Sequence, residues 1–339
     1  MPAKYENLIA ENIAPKAARE IALVDGNGIK VCRFGLGSLS FPATEEKQYS
    51  FGAISDVHLQ YNTALADFQK ALSFLQDAEN VDFTCVCGDL TDNGEIADLT
   101  QYKNAVGNDP VYEIPGNHDC YTLGADIENQ AASYTGEPMY YSFTKGSDVF
   151  IMVGIKDEYE LFTTAELQWL YETLEANRNK RCFVFQHVYP GKGNALTCGN
   201  AYGIYENHCW NHPAQTVLFE CLMKHYKNVV FFHGHSHLEF ALQSKACRYA
   251  NYSDADGYRS VHIPALSVIR TGDATGSDSR TELADGSQGY VVDVYENGIH
   301  LRGRDFAKGE FLPIASYWVD TTLQTVAAGT FTDPTGTVA

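Results

Sequence analysis

The chain has 339 residues, 45% of them hydrophobic and 12% aromatic, enough to bury a large core without covalent staples. Its 24 Lys and Arg against 43 Asp and Glu leave a net charge of −19, a surface that repels the backbone of long nucleic acids. No apolar run approaches the roughly 20 residues of a membrane helix, and the opening MPAKYENLIAENIAPKAARE lacks the apolar segment of a signal peptide.

The nine cysteines are odd in number and follow no disulfide spacing, and Cys85, Cys87 and Cys182 sit inside apolar runs. There a reduced thiol behaves as a small hydrophobe. The composition therefore predicts a reduced, cytoplasmic protein with no membrane partner. Residues 20–34, EIALVDGNGIKVCRF, predict a β-hairpin turning at Asp25-Gly26-Asn27-Gly28. It precedes the main pattern, so residues 1–49 read as an N-terminal extension.

From residue 50 short apolar runs alternate with amphipathic stretches. YSFGAIS, VDFTCVCG, VYEIPG, DVFIMVGI, RCFVFQ and NVVFFHG have the composition of strands covered on both faces. Between them, Leu65, Phe68, Leu72 and Leu75 recur at helical steps. Thr163 and Glu166 form a capping box ahead of Leu167, Leu170 and Leu174. Pro213 opens a further helix through Leu218 and Leu222.

Beyond residue 240 the helical pattern stops. Residues 271–288 read as a surface loop, GYVVDVYENGIHLRGRDF as a hairpin turning at Asn297-Gly298, and FLPIASYWVD as another strand. The tail from about residue 325 reads as a frayed end. The fold class is α/β: two sheets packed as a β-sandwich and flanked by helices. Its main domain spans 50–305, and 306–339 supplies a C-terminal strand and polar tail.

Five of these six apolar runs end in residues that bind metals or move protons. Asp56 and His58 follow the first, Asp89 and Asp92 the second, and Asn117, His118 and Asp119 the third; His187 and then His235 and His237 follow two later ones. Ligands gather outside the carboxyl ends of strands in open α/β sheets, so one shared rim is expected. A D-x-H pair on extended backbone would place both side chains on one face. Carboxylate, imidazole and amide oxygen together suit Mn, Fe or Zn.

The ordered blocks D-x-H (56–58), G-D (88–89), G-N-H-D (116–119), His187 and G-H-S-H (234–237) resemble the calcineurin-like metallophosphoesterases over residues 50–305. The resemblance implies an α/β/β/α sandwich. It also implies two metal ions, one held by Asp56, His58, Asp89 and His237 and the other by Asp89, Asn117, His187 and His235, with Asp89 bridging. It implies in-line attack on a phosphoester by hydroxide activated between the ions, with His118 as proton donor supported by Asp92. Asp119 takes a structural role, and His233 lies outside the pattern as a core-edge residue.

One departure bears on the substrate. Phosphoprotein phosphatases of this superfamily carry G-D-x-x-D-R-G, whose arginine grips phosphate; here GDLTDNG puts Asn93 in that place. The departure favours the small phosphodiesterase branch, with Asn93 near the substrate. The long segment 189–212 offers Tyr189, Tyr202 and Tyr205 for stacking on a substrate, though packing the loop onto the body accounts for them equally well. Cys198, His208, Cys209 and His212 within it match no standard zinc spacing. The rival readings are a nuclease of the same superfamily, which needs a basic groove, and a metal-binding scaffold without catalysis.

Overall fold

Side chains along the apolar runs point alternately to two different cores, which is why each run is apolar throughout. The computed structural model describes residues 20–25, 28–33, 46–61, 63–123, 136–155, 162–189, 213–241, 251–254, 257–271, 281–282 and 286–338. Strands β1 (Glu20–Asp25) and β2 (Gly28–Arg33) pair antiparallel as the expected hairpin.

Two six-stranded mixed sheets make up the body. In one, β3 (Tyr49–Ile54), β4 (Phe83–Cys87) and β5 (Val111–Ile114) run parallel; β12 (Gln288–Val294), β13 (Gly298–Asp305) and β14 (Glu310–Asp320) extend it antiparallel from β3. In the other, β7 (Asp148–Val153), β8 (Cys182–Gln186), β9 (Val229–His233) and β11 (Arg259–His262) run parallel. Its edges are antiparallel, formed by β6 (Tyr140–Lys145) and β10 (Tyr252–Ser253).

Between the sheets, Phe51, Ala53, Cys85 and Cys87 meet Phe150, Met152, Phe183, Phe185 and Phe232. Phe51 lies at the centre, 5.2 Å from the ring of Phe150 edge-on and 5.5 Å from that of Phe83 in a stack. Truncating such a side chain costs about 3–5 kcal/mol. The intervening residues face outward. Ile54 and Val86 pack on Phe68, Leu72, Leu75 and Tyr102, carried by the helices Ala64–Ser73 and Ile96–Val106 and the π-turn Phe74–Ala78. Ile151, Val184 and Phe231 pack on Leu167, Leu170, Leu174, Phe219 and Leu222 from the helices Thr164–Ala176 and Pro213–His225. The order is helix, sheet, sheet, helix.

The capping box at Thr163 is present in both directions: the hydroxyl accepts from Glu166 N at 3.0 Å, and the Glu166 carboxylate accepts from Thr163 N at 3.3 Å. The C-terminal tail differs from the expected frayed end. Val326 is buried, Phe331 packs on Tyr171 and Tyr226, and Gly329 N donates to Glu175 at 2.9 Å. A few apolar residues among small polar ones suffice to dock it. Among the described residues, no helix is long and apolar enough to cross a membrane.

Candidate metal centre

The parallel strands of both sheets end at one rim, and the five loops that leave them converge there. β3 delivers Asp56 and His58, β4 Asp89 and Asp92, β5 Asn117 and His118, β8 His187, and β9 His235 and His237. The backbone, however, is not extended. Asp56, His58, Asp89, His235 and His237 have φ of 55, 49, 51, 70 and 60°, so five of the seven candidate ligands sit in the left-handed region. The alternation expected for D-x-H and G-H-S-H is therefore replaced by tight left-handed turns, which turn both side chains inward by another route.

Left-handed backbone at non-glycine residues costs about 1–3 kcal/mol each and persists only where surrounding bonds hold it. Those bonds are present. Val57 N and His58 N both donate to Asp89 O at 2.8 and 3.0 Å, and Asp56 N donates to Gly88 O at 3.0 Å. Gly234 N donates to His187 O at 2.9 Å, and His235 N to the Asp56 carboxylate at 3.1 Å. The segment from Ala265 lies along the first loop, with Leu266 N on Ser55 O and Ser267 N on Asp56 O at 2.8 and 3.1 Å.

Three histidines are oriented alike. His187 Nδ1 lies 2.6 Å from Cys87 O, His237 Nδ1 3.0 Å from Val268 O, and His58 Nδ1 3.1 Å from the Asp92 carboxylate. These acceptors fix the proton on Nδ1 and aim Nε2 inward, the arrangement that prepares an imidazole to bind metal. His58 Nε2 and His237 Nε2 then face each other at 3.1 Å. His237 Nε2 also lies 3.1 Å from Asp56 Oδ1, and His187 Nε2 3.1 Å from Asp89 Oδ2.

With the histidine protons on Nδ1, Asp56 Oδ1, Asp89 Oδ2, Asn117 Oδ1 and His187 Nε2 are buried and meet no hydrogen-bond donor. Buried polar atoms rarely stay unsatisfied, and four converging acceptors are what a cation would satisfy. Ligand atoms of Asp56, His58, Asp89 and His237 lie within 4.8 Å of one another, as do those of Asp89, His187 and His235. The residues therefore fit a pair of divalent ions, with Asp89 common to both groups.

Charge is balanced locally. Burial opposes ionisation of Asp89, but His187 and His118 hold its carboxyl well below the usual range. Burial likewise pulls His187 down, and Asp89 and Asp56 overcome it, holding the imidazole up at about 9. A metal ion must displace that proton. Burial pulls His235 well below the ordinary range, leaving it neutral.

Asp119 ties two of the loops together. Its carboxylate accepts from Leu90 N at 3.0 Å, Thr91 N at 2.9 Å, Thr91 Oγ1 at 2.8 Å and Gly116 N at 2.8 Å. Burial and Asp89 push its carboxyl up to about 6 against those donors. Gly116 is required by close approach, since a Cβ there would run into Asp89 Oδ1 and N. Gly116→Ala should therefore displace Asp89 and lower metal content below two ions per chain, measured by elemental analysis. Unchanged metal content would refute the fit.

Above these residues lies a cavity of about 120 Å³ lined by His58, Asp89, Asn117, His235 and His237 at its floor. His118, Asp92, Tyr61, Tyr121, Val268 and Arg270 complete the lining. His118 is half-buried, its ring 4.5 Å from that of His58 and 4.6 Å from that of Tyr121. Its Nδ1 lies 2.8 Å from the Asp92 backbone carbonyl and 3.5 Å from the Asp92 carboxylate. Asp92 thus holds His118 mainly through its backbone, while its carboxylate, pulled down by the hydrogen bond from His58, serves that ring. Burial lowers the His118 imidazole, but Asp89 and Asp92 raise it above the ordinary value.

Two expected substrate contacts are corrected. Asn93 does not line the cavity; its amide donates to Gln60 at 3.1 Å and Asp92 at 3.3 Å. Tyr189 is a core residue, 5% exposed, against Phe231 and His233, with its hydroxyl 2.6 Å from that of Tyr258. Tyr202 and Tyr205 lie outside the described residues, as do Cys198, His208, Cys209 and His212. His233 is buried between Phe231, Tyr189 and His262 and joins neither ligand group. Sequence reasoning missed Val268, Tyr61, Tyr121 and Arg270. Val268 carries a φ of 56° that turns its carbonyl to His237.

A helix–sheet–sheet–helix sandwich with acid and imidazole clusters at the strand ends is suited to binding divalent metal ions at that rim. The profile of the calcineurin-like phosphoesterases matches residues 49–239, over half of the chain, and the protein belongs to that family. Among solved structures it is similar to GAP50, the anchor in the inner membrane complex of Plasmodium. The identity is 14% and the TM-score 0.49, over 87% of this chain and 92% of that one. It is also similar to a predicted phosphoesterase from Streptococcus pneumoniae TIGR4, at 12% identity and a TM-score of 0.39 over 80% and 97% of the two chains. A phosphatase from Mycoplasma pneumoniae stands at 12% and 0.39, over 81% and 94%. No curated protein sequence matches the chain.

Proposed function

We propose that the protein hydrolyses a small phosphoester, a phosphodiester in preference to a monoester, at the rim where the two clusters meet. The observation that carries this reading is the set of buried, unpartnered donor atoms under a cavity whose wall holds His118. In the assignment, Asp56, His58, Asp89 and His237 hold one ion of the Mn, Fe or Zn type. Asp89, Asn117, His187 and His235 hold the other. When bound, such ions make water acidic enough to attack at neutral pH and neutralise the phosphate oxygens.

The chain's own residues do the rest. The carbonyls of Cys87 and Val268 and the carboxylate of Asp92 keep three imidazoles in the ligating tautomer. With Nδ1 on the Asp92 carbonyl, His118 is left to present Nε2 to the cavity, where it gives its proton to the departing oxygen. Asp119 keeps the G-N-H-D and G-D loops at a fixed spacing.

The test is a turnover screen of the metal-reconstituted full chain. Bis-p-nitrophenyl phosphate, p-nitrophenyl phosphate, cyclic nucleotides and glycerophosphodiesters are set beside single-stranded and duplex DNA. Small diesters should turn over and DNA should not. A net charge of −19 opposes a strand of many phosphates, and at 0.1 M salt that repulsion still acts over about 10 Å. Efficient DNA cleavage at low salt would replace this reading with a nuclease. Two bound metals with no hydrolysis of any ester would replace it with a binding scaffold.

A further inference from the structure

The cavity floor is made of one carboxylate, three imidazoles and an amide, none of which offers a permanent positive charge to an incoming anion. Among the described lining residues, Arg270 alone is a Lys or Arg. Asn93, at the place where an arginine was expected to matter, is not itself in the lining and donates to Gln60 and Asp92. We propose that Arg270 is the phosphate-gripping residue of this site, reached from a different part of the chain, and that Glu282 tempers it. The proposal rests on the reading of the cavity as a phosphoester site and names the side chain that would recognise the phosphoryl group.

The position of Arg270 is built in by backbone bonds. Arg270 N donates to His237 O at 2.7 Å, Glu239 N donates to Arg270 O at 3.1 Å, and Leu238 bridges to Arg270 in parallel. Two residues earlier, Val268 O receives His237 Nδ1. The stem of Arg270 is thus fixed to the same turn that aims His237 at the floor. A binding group anchored to the scaffold of the metal cluster keeps a set distance from it. Guanidinium is also the side chain suited to a phosphoryl group, because its planar fork bonds two oxygens at once.

Glu282 faces Arg270 across a two-residue antiparallel pair, Arg270–Thr271 with Thr281–Glu282. Directly paired residues share one face of a sheet. Tyr61, itself on the cavity wall, donates its hydroxyl to Glu282 at 3.3 Å. A carboxylate across from Arg270 offsets its repulsion of metal ions and competes with phosphate for it. In a chain of net charge −19, long-range attraction does not deliver an anion, and Arg270 adds to the proposed ions a cation that belongs to the chain itself.

The probe is inorganic phosphate titrated calorimetrically into the Mn-reconstituted full chain, with metal content measured in parallel. The same phosphate is also assayed as a competitive inhibitor of bis-p-nitrophenyl phosphate turnover. Arg270→Ala should keep two metals and bind phosphate about 10–100-fold more weakly, the range for a charge-assisted pair. Arg270→Lys should fall between, and Glu282→Gln should bind phosphate about two- to fivefold more tightly.

Phosphate affinity unchanged in Arg270→Ala overturns the proposal, and so does loss of metals in that variant, which would make the residue structural. Should Arg270→Ala fail to fold, Arg270→Lys and Glu282→Gln decide, and wild-type affinity in both overturns it. Arg270-dependent phosphate binding by a protein that hydrolyses no ester leaves Arg270 standing and removes the proposed hydrolysis. Ester hydrolysis with Arg270-independent phosphate binding does the reverse.

Discussion

Asp89→Asn should lose both metal ions together and reduce turnover to below about 1% of wild type, since ligand and close-partner changes at such centres are severe. The physical reason is the shared position of one oxygen. Asp89 Oδ2 is buried without a hydrogen-bond partner, 3.1 Å from His187 Nε2 and 3.5 Å from His58 Nε2, so it faces both ligand groups at once. Asp89 Oδ1 accepts from His118 N at 2.9 Å and can be matched by the amide oxygen of asparagine. The substitution therefore removes the charge and the oxygen proposed to bridge the ions while keeping the fold of the loop. His58→Ala, which touches only one of the two groups built around Asp89, should retain close to one ion per chain. Two tightly bound ions in Asp89→Asn, by elemental analysis, would break the bridging assignment.

Most of this centre was legible because its parts are side chains with distinctive chemistry placed at strand ends. The runs ending in Asp56, Asp89, Asn117, His187 and His235 are apolar throughout, and the structure shows why: Phe51 and Cys85 face one core while Ile54 and Val86 face another. The backbone of the loops was not legible. Period-two reasoning assumed extended D-x-H, whereas Asp56 and His58 occupy left-handed turns held by Asp89 O. Asp and His are enriched in that conformation, but which of them adopt it is decided by bonds from elsewhere in the chain.

The same holds for the acceptors that orient the histidines. Cys87 O and Val268 O act through backbone carbonyls, which every residue type carries, and Val268 lies 31 positions from the ring that it holds. Substrate contacts were misread for a related reason. Tyr189 lies three residues beyond the end of β8, and composition does not separate an aromatic that stacks on a ligand from one that fills a core. Its hydroxyl finds Tyr258, so the ring can be buried at little cost. Arg270 sits on a two-residue strand next to undescribed residues, too short to register as an element.

His118→Ala should retain both metals and lose far more rate on substrates with poor leaving groups than on activated ones. The imidazole belongs to neither of the two groups built around Asp89; it stands on the cavity wall, with Nδ1 on Asp92 O and its ring against Tyr121. A group there can protonate a departing oxygen without holding an ion. An alkoxide needs that proton, and general acid help is typically worth about 10²–10⁴-fold. A p-nitrophenolate leaves well unaided, so the loss on bis-p-nitrophenyl phosphate should be tenfold or less on that same scale, about the lower limit of such help. The measurement is the ratio of kcat/KM for an alkyl diester to that for the aryl diester, wild type against variant. An equal loss on both would mean that His118 positions the phosphate rather than protonating the leaving group, and the proton would then have to come from solvent.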